Sequence, residues 1–450
     1  MTSIIETIAA WCSSQTEFSH GAREHAKHAI ADTIGCMFAG QSDFSPQAAR
    51  RAFAGYLTPD GPSSIVGGGK ANEAVAALIN ATAAHALDYD DNFLPGMSHA
   101  SAVLVPALLA IAEARNAGGS SLIDAYLIGL QAQAFVGDGV GSSHYTAGWH
   151  GTSTIGTIGT AAGIAWLIGL DADGIARSLS NAVSLASGMK GQFGTPIKPL
   201  HAGLAARNAI DAAKMAASGM TGRFDILEGE QGFRELFGGR HPGQWDARAI
   251  AATVKHTIET AGVLPKRHPC CGSTHLISDA ILDLKALEQF EIDNVVSVET
   301  LVGISNWRNL SYPRPQDEMQ ARFSMQYCVA RILRNDSLVL SDFTQEAVRN
   351  NPDVELMGRV SMTPYTEEQE LVSGSKLPHV VTIHLADGRT LKAKRQAPKG
   401  ALDDPFDAQD REKKFMDCCG NLANGRDIYR RLCALEHQDD MHFLTPVFAL

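Results

Sequence analysis

The sequence predicts a mainly α protein: a large all-helical domain, a smaller α+β domain inserted late in the chain, and C-terminal helices that return to the first domain. Three observations predict it. Residues 1 to about 265 read as one helical pattern after another, dominated by small residues. Near residue 266 the texture changes to alternating apolar and polar segments rich in β-branched residues. From about residue 405, in FDAQDREKKFMDCC and then DIYRRLCALEHQ, the helical pattern resumes. The expected boundaries are therefore 1–265 for the helical domain, with 398–450 packing back on it, and 266–397 for the α+β domain.

Along the first domain the helical runs are AVAALINATAAHALDY (74–89), SAVLVPALLAIAEARNAGG (101–119), LIDAYLIGLQAQAFVGDGVG (122–141), TSTIGTIGTAAGIAWLIGL (152–170) and HAGLAARNAIDAAKMAASG (201–219). Gly118, Gly169 and Gly219 stand where helix C-caps belong. Gly156, Gly159 and Gly163 follow no strand, so they read as close helix–helix contacts rather than a phosphate-cradling loop. In the second domain VVSVETLVGIS (295–305), DVELMGRVSMTP (353–364) and HVVTIHLADGRTLKAK (379–394) carry strand patterning. Ala386-Asp-Gly-Arg389 supplies a hairpin turn, and QARFSMQYCVARILRN (320–335) a helix between strands.

Composition narrows the function. Of 450 residues, 45% are apolar and 19% charged, below the roughly 25% charge of a typical soluble domain. Disordered, collagen-like and coiled-coil chains are excluded. The net charge of −11 gives no footing to nucleic acid or an anionic membrane. Eight cysteines with no C-x-x-C, two pairs of them adjacent, read as a reduced, cytoplasmic protein. The N-terminal segment lacks a basic n-region, and no run of 18 apolar residues exists, so neither a signal peptide nor a membrane span is expected.

Four nodes carry chemistry. In His85-Ala-Leu-Asp88-Tyr-Asp90-Asp91 three carboxylates fall within four positions. Mg²⁺-dependent diphosphate chemistry, as in prenyl-chain synthases, wants D-D-x-x-D and a second acidic cluster, and neither is present; plain capping and solvation is the other reading. His99, eleven residues after Asp88 beyond a loop with Pro95 and Gly96, makes an acid–base pair with a carboxylate the sharper reading. Gly148-Trp-His150-Gly-Thr-Ser-Thr154 opens a small-residue helix, with His150 either a capping residue or a catalyst; His144 does not supply the i, i+4 spacing of a metal pair. In Gly194-Thr-Pro-Ile-Lys198-Pro199-Leu-His201, Pro199 suits the first helical position and pushes Lys198 out of the α region. Lys198 then stands at a helix N-terminus, ready for a carboxylate, unless it is a solvated loop lysine. Lys266-Arg267-His268-Pro-Cys270-Cys271-Gly-Ser-Thr-His275 places two cations and two histidines at the domain junction, suited to an anionic ligand in an interdomain cleft. Zinc is disfavoured there, because adjacent cysteines do not both reach one tetrahedral ion and no matching half follows. No G-x-S-x-G elbow, Walker A or dinucleotide fingerprint occurs.

The blocks HALDYDD, GWHGTSTIG, KPLHAGLAARNAI and PCCGSTH, in this order, resemble the MmgE/PrpD family, which includes 2-methylcitrate dehydratase, cis-aconitate decarboxylase and iminodisuccinate epimerase. The resemblance runs nearly the whole length, to ADGR…DDPFD…KKFMDC. It implies a helical domain with a smaller α+β lid, a homodimer, and no obligatory metal or organic cofactor. It also implies an active site at Asp88, His99, His150, Lys198 and His275, joined by Tyr312 in SYPRP. The loop DNFLPGMSHA departs from the decarboxylases, which carry an extra histidine and a Thr-His-Pro there, and HYTAGWH, FGT and KPLH look nearer the epimerase branch. The shared chemistry is proton removal or delivery at the carbon α to a carboxylate, which needs a base at the C–H bond and stabilisation of the charge that develops. Lys198 and His275, with Lys266 and Arg267, are expected to bind carboxylates. His150 and His99 are the acid–base pair, and Asp88 orients or charge-stabilises a histidine. Loss of hydroxyl gives dehydration, loss of CO₂ decarboxylation, and return of the proton on the other face epimerisation. The expected function is a cofactor-independent lyase acting on a small di- or tricarboxylate, a dehydratase or decarboxylase; an epimerase is the second reading and a non-catalytic helical scaffold the third.

Overall fold

The computed structural model describes residues 2–373, 377–420 and 422–449, and the chain is mainly α. It divides into two compact units, Met1–Gln192 with Pro196–Pro265 and Asp407–Leu450, and Phe193–Thr195 with Lys266–Phe406. No helix of the described residues is long and apolar enough to cross a membrane.

The first unit is built on α1 (Ile4–Ser14), α2 (His20–Gly40), α3 (Phe44–Ala52), α4 (Glu73–Ala86), α5 (Ala100–Arg115), α6 (Gly119–Thr146), α7 (Thr154–Leu167), α8 (Ala172–Leu185) and α9 (Ile197–Ala217). A two-residue ribbon, β1 (Ser63–Ser64) against β2 (Lys70–Ala71), precedes α4. Local chemistry sets the starts: Ser3 and Glu6 form a capping box on α1, and Asn72 and Asp171 cap α4 and α8. Helix α5 is buried from Ala100 to Glu113, so it is the centre of the unit, with apolar residues all round rather than in a stripe. Helices α6 and α7 meet backbone to backbone. A Cβ on Gly159 would stand 2.5 Å from the Gln133 backbone nitrogen, and one on Gly163 would stand 2.7 Å from the Ala125 carbonyl oxygen. The glycines of α7 are therefore packing residues, as the pattern predicts.

Gly169 and Gly219 adopt positive φ at helix ends, whereas Gly118 does not. Asn116 takes the left-handed position closing α5, and Gly118 (φ −75) caps the start of α6. Asparagine tolerates that conformation, so the stop comes two residues early. The C-terminal helix Ala408–Cys419 completes the unit: Lys414, buried, donates through Nζ to Asp32 and to the Tyr89 carbonyl, each at 2.8 Å.

The second unit holds one four-stranded sheet in the order β4-β3-β5-β6, from β3 (Val295–Val302), β4 (Val360–Pro364), β5 (His379–Leu385) and β6 (Thr390–Arg395). β3 runs parallel to β4 and antiparallel to β5, and β5 pairs antiparallel with β6. Val381, Ile383 and Leu385 form the buried face of β5 and share one core with the helices His275–Leu287 and Met325–Asn335. The hairpin closes as predicted, with Gly388 at φ +88 donating to the Leu385 carbonyl. The expectation of a strand over 353–364 is corrected in its first half, where Val354–Gly358 is a helix. Leu356 and Met357 are adjacent and both buried, which a strand with one inward face does not allow. Residues 398–406 group with this unit, where the Lys399 N–H donates to Asp279 at 2.9 Å.

Candidate active site

Helix α4 ends at Ala86, and the chain turns sharply at Asp88, whose φ of +53 is left-handed. Aspartate and asparagine visit that region more readily than other residues with a Cβ. The turn sends Asp88, Asp90 and Asp91 all inward, with exposures of 3%, 0% and 1%. The capping-and-solvation reading of this cluster therefore fails. Three buried carboxylates demand partners, and those partners define the site.

Asp88 accepts from the Lys198 ammonium at 2.6 Å, an ion pair buried on both sides. Lys198 lies within the first turn of α9 and Pro199 follows it in the helix, rather than Lys198 preceding the helix as Pro199 suggests. Proline is accommodated because the first turn needs no backbone N–H. Asp88 thus holds a lysine and also favours charge on His85, while the carboxylate hydrogen-bonded to that histidine is Asp90, which receives the His85 Nδ1–H at 2.7 Å. His99 donates Nδ1–H to the Asp91 carbonyl at 2.7 Å, and its backbone N–H donates to Thr152 Oγ1 at 3.0 Å. A carbonyl only accepts, so in the neutral ring of His99 the lone pair sits on Nε2. Close approach of Gly151 to the 96–97 loop permits this meeting, since a Cβ there would lie 2.3 Å from the Met97 carbonyl oxygen.

His150 completes the group. Its ring stacks on His85 with centroids 5.6 Å apart and faces the His99 ring at 6.3 Å and 71°. Its Nδ1 lies 3.1 Å from Nδ1 of His201, one turn after Lys198 on α9. Burial, reinforced by the charges of His85 and Lys198, holds His150 well below the usual histidine range. Burial lowers His85 as well, against the pull of Asp90, and pushes His201 down to about 4. Asp91 moves the other way: burial raises it to about 7. The pocket favours neutral imidazoles beside one fixed ammonium, the equipment for moving a proton near a carboxylate.

Ring nitrogens of His85, His99 and His150 lie within 4.8 Å of one another, as do those of His85 and His99 with Asp88 and Asp90, a spread compatible with a bound cation. Lys198 acts electrostatically on both His85 and His150, so the cluster already contains the positive charge it would otherwise attract.

Of the residues singled out in the sequence, Asp88, His99, His150 and Lys198 converge in the first unit. His85, Asp90 and His201 belong with them but are not singled out there. His201 carries a legible signal, the i+3 spacing from Lys198 that puts both on one helix face.

The remaining four lie in the second unit. His275 is the first residue of the helix His275–Leu287, is buried, and contacts the Cys270 carbonyl through Nε2 at 3.2 Å. His268 stands edge-on to it at 5.1 Å and pairs with Asp279 at 3.1 Å. Arg267, 43% exposed at its side chain, reaches the same Asp279 at 3.3 Å. Burial works to raise Asp279, but the His268 bond outweighs it and lowers the group to about 2. Lys266 is buried. Tyr312 donates its hydroxyl to the Phe193 carbonyl at 3.2 Å.

Comparison with known proteins identifies relatives over most of the chain. The chain is 28% identical to a cis-aconitate decarboxylase of Homo sapiens, over 81% of this chain and 76% of that one. It is 27% identical to the cis-aconitate decarboxylase of Mus musculus, with the same coverage. It is 24% identical to the enzyme of that name from Aspergillus terreus, over 89% and 86%. Family models for the MmgE/PrpD N-terminal and C-terminal domains match residues 6–245 and 268–431. With both domain models satisfied in order, the chain belongs to the MmgE/PrpD family.

Proposed function

We propose that this chain is a cofactor-independent lyase acting on a small di- or tricarboxylate, with decarboxylation of a cis-aconitate-like substrate as its first candidate reaction. The observation that carries the reading is the buried Lys198–Asp88 pair set among His85, His99 and His150. Lys198 faces the charge that develops on a carboxylate, and Asp88 holds the ammonium in place. In decarboxylation the C–C bond to the leaving carboxylate breaks, its electron pair delocalises toward the neighbouring carboxylate, and a histidine delivers a proton to the carbon. For His275, Lys266, Arg267 and Tyr312 of the second unit, a part in binding substrate carboxylates is proposed on the family resemblance alone. The eight free cysteines suit a reducing, cytoplasmic setting, and the family resemblance suits a homodimer.

One observation favours the epimerase as a second reading. His99 and His150 present their rings at 71° across 6.3 Å, an arrangement able to serve both faces of one carbon. Incubation in D₂O with cis-aconitate, 2-methylcitrate and iminodisuccinate, followed by NMR, decides between them. Release of CO₂ or water with deuterium in the product supports the lyase, and inversion with deuterium wash-in supports the epimerase. Inertness toward all three refutes both and leaves a scaffold.

A further inference from the structure

The contact between His150 and His201 is not needed for binding a carboxylate, yet it is specific. Two Nδ1 atoms 3.1 Å apart share one hydrogen, because two lone pairs or two N–H groups facing each other repel. The tautomers of the two rings are therefore linked. With the hydrogen on His150, its Nε2 carries a lone pair; with the hydrogen on His201, His150 carries its own hydrogen on Nε2. Both rings are buried, His150 at 1% and His201 at 6% exposure, and burial lowers both, His150 further than His201, so a proton held by the pair rests on His201. His85, His99 and Lys198 act on His150, and His85 and Lys198 on His201; the Ser153 hydroxyl binds the His201 carbonyl.

A charge formed on His150 alone would be buried and surrounded by cationic or like-charged neighbours. We propose that His201 is the positioning residue of this site, a proton store that takes up the positive charge whenever His150 carries the reactive hydrogen on Nε2. This rests on His150 being an acid–base residue. The steps balance. In the loaded pair His150 holds a hydrogen on Nε2 and His201 holds one on each nitrogen. When Nε2 gives its hydrogen to carbon, the His201 Nδ1 hydrogen returns to His150 Nδ1 and both rings are neutral. One solvent proton per turnover reloads the pair.

His201→Asn tests this, because its amide keeps a hydrogen-bonding group near the Nδ1 position but cannot take a proton. The expected result is kcat lower by about 10²-fold, KM within about threefold and an unchanged Tm. The pH limb that reports loading of His150 moves down by at least one unit. Wild-type kcat, or a loss of activity with Tm falling and no movement of that limb, overturns the proposal. A second measurement needs no substrate. In protein labelled with ¹⁵N-histidine, a pH titration shows one proton entering the pair at His201; entry at His150 first, or two independent steps, overturns it. His150→Gln separates the two ideas, since full activity in that variant refutes the functional reading itself.

Discussion

Replacing Lys198 by Met removes one half of an ion pair whose Nζ and Oδ1 lie 2.6 Å apart, with side chains 3% and 5% exposed. At an effective dielectric constant of about 20, unit charges at that separation attract by roughly 6 kcal/mol. Most of this offsets the cost of withdrawing both groups from water. Breaking the pair instead leaves Asp88 buried and charged, which costs about 4 kcal/mol. At about 2.1 cal/mol/K of unfolding entropy per residue, a chain of 450 residues shifts by about 1 °C per kcal/mol, so Lys198→Met should lower Tm by about 4 °C. Asp88→Asn keeps the left-handed turn, because asparagine tolerates it. The double variant Asp88→Asn/Lys198→Met removes both charges and should recover at least half of the lost stability. Activity should not follow: without the ammonium kcat/KM falls by about 10²–10³-fold in the single and the double variant alike. Calorimetry of the four proteins, with turnover measured alongside, is the assay. Additive stability losses, with coupling below about 0.5 kcal/mol, or recovery of activity together with Tm, would refute the reasoning.

Three further outcomes are expected. His150→Gln should keep Tm and lower kcat by about 10²–10⁴-fold; run beside His99→Gln, it should block deuterium exchange from one enantiomer only if the enzyme is an epimerase, and wild-type exchange in both variants displaces the active site. Asp91 is raised to about 7 from its usual value by burial, so the folded state binds a proton that the unfolded chain releases near pH 4, and stability is lost as pH rises toward 7. Asp91→Asn should therefore raise Tm at pH 8 by an amount that shrinks as pH falls and vanishes toward about pH 4, and a constant difference across that range contradicts the assignment. Turnover should persist in EDTA, and loss of activity restored by a divalent ion would overturn the cofactor-free reading.

Where local pattern determines local structure, the sequence is informative. The small-residue helices, the Gly159 and Gly163 contacts and the Asp-Gly hairpin follow from periodicity and backbone conformation. The helix at 354–358 is misread because a short apolar stretch has no period of its own, and tertiary burial of both Leu356 and Met357 decides it. Within the site, Asp88, His99, His150 and Lys198 stand out by residue type, but their pairing does not. The partner of Asp88 lies 110 residues away, and nothing local tells Asp88 from Asp90 as the carboxylate that orients a histidine. That choice is made by the left-handed turn at Asp88, a backbone event that aspartate permits without requiring.

The helical unit is discontinuous in the chain, and that fixes an order of events during synthesis. Asp32 and the Tyr89 carbonyl wait for Lys414, which follows the whole second unit. From Pro265 to Asp407 is 407 − 265 = 142 residues, which at roughly 5–20 residues per second takes roughly 7–28 s. Through that interval the second unit emerges and has time to fold, while the first stands without its closing helix and Asp32 without its counter-charge. A nascent chain arrested between these points presents an unfinished apolar face to chaperones and proteases. Slower translation across 266–406, a stretch that contributes no residue to the histidine cluster itself, lengthens the interval in which the first unit stands unfinished.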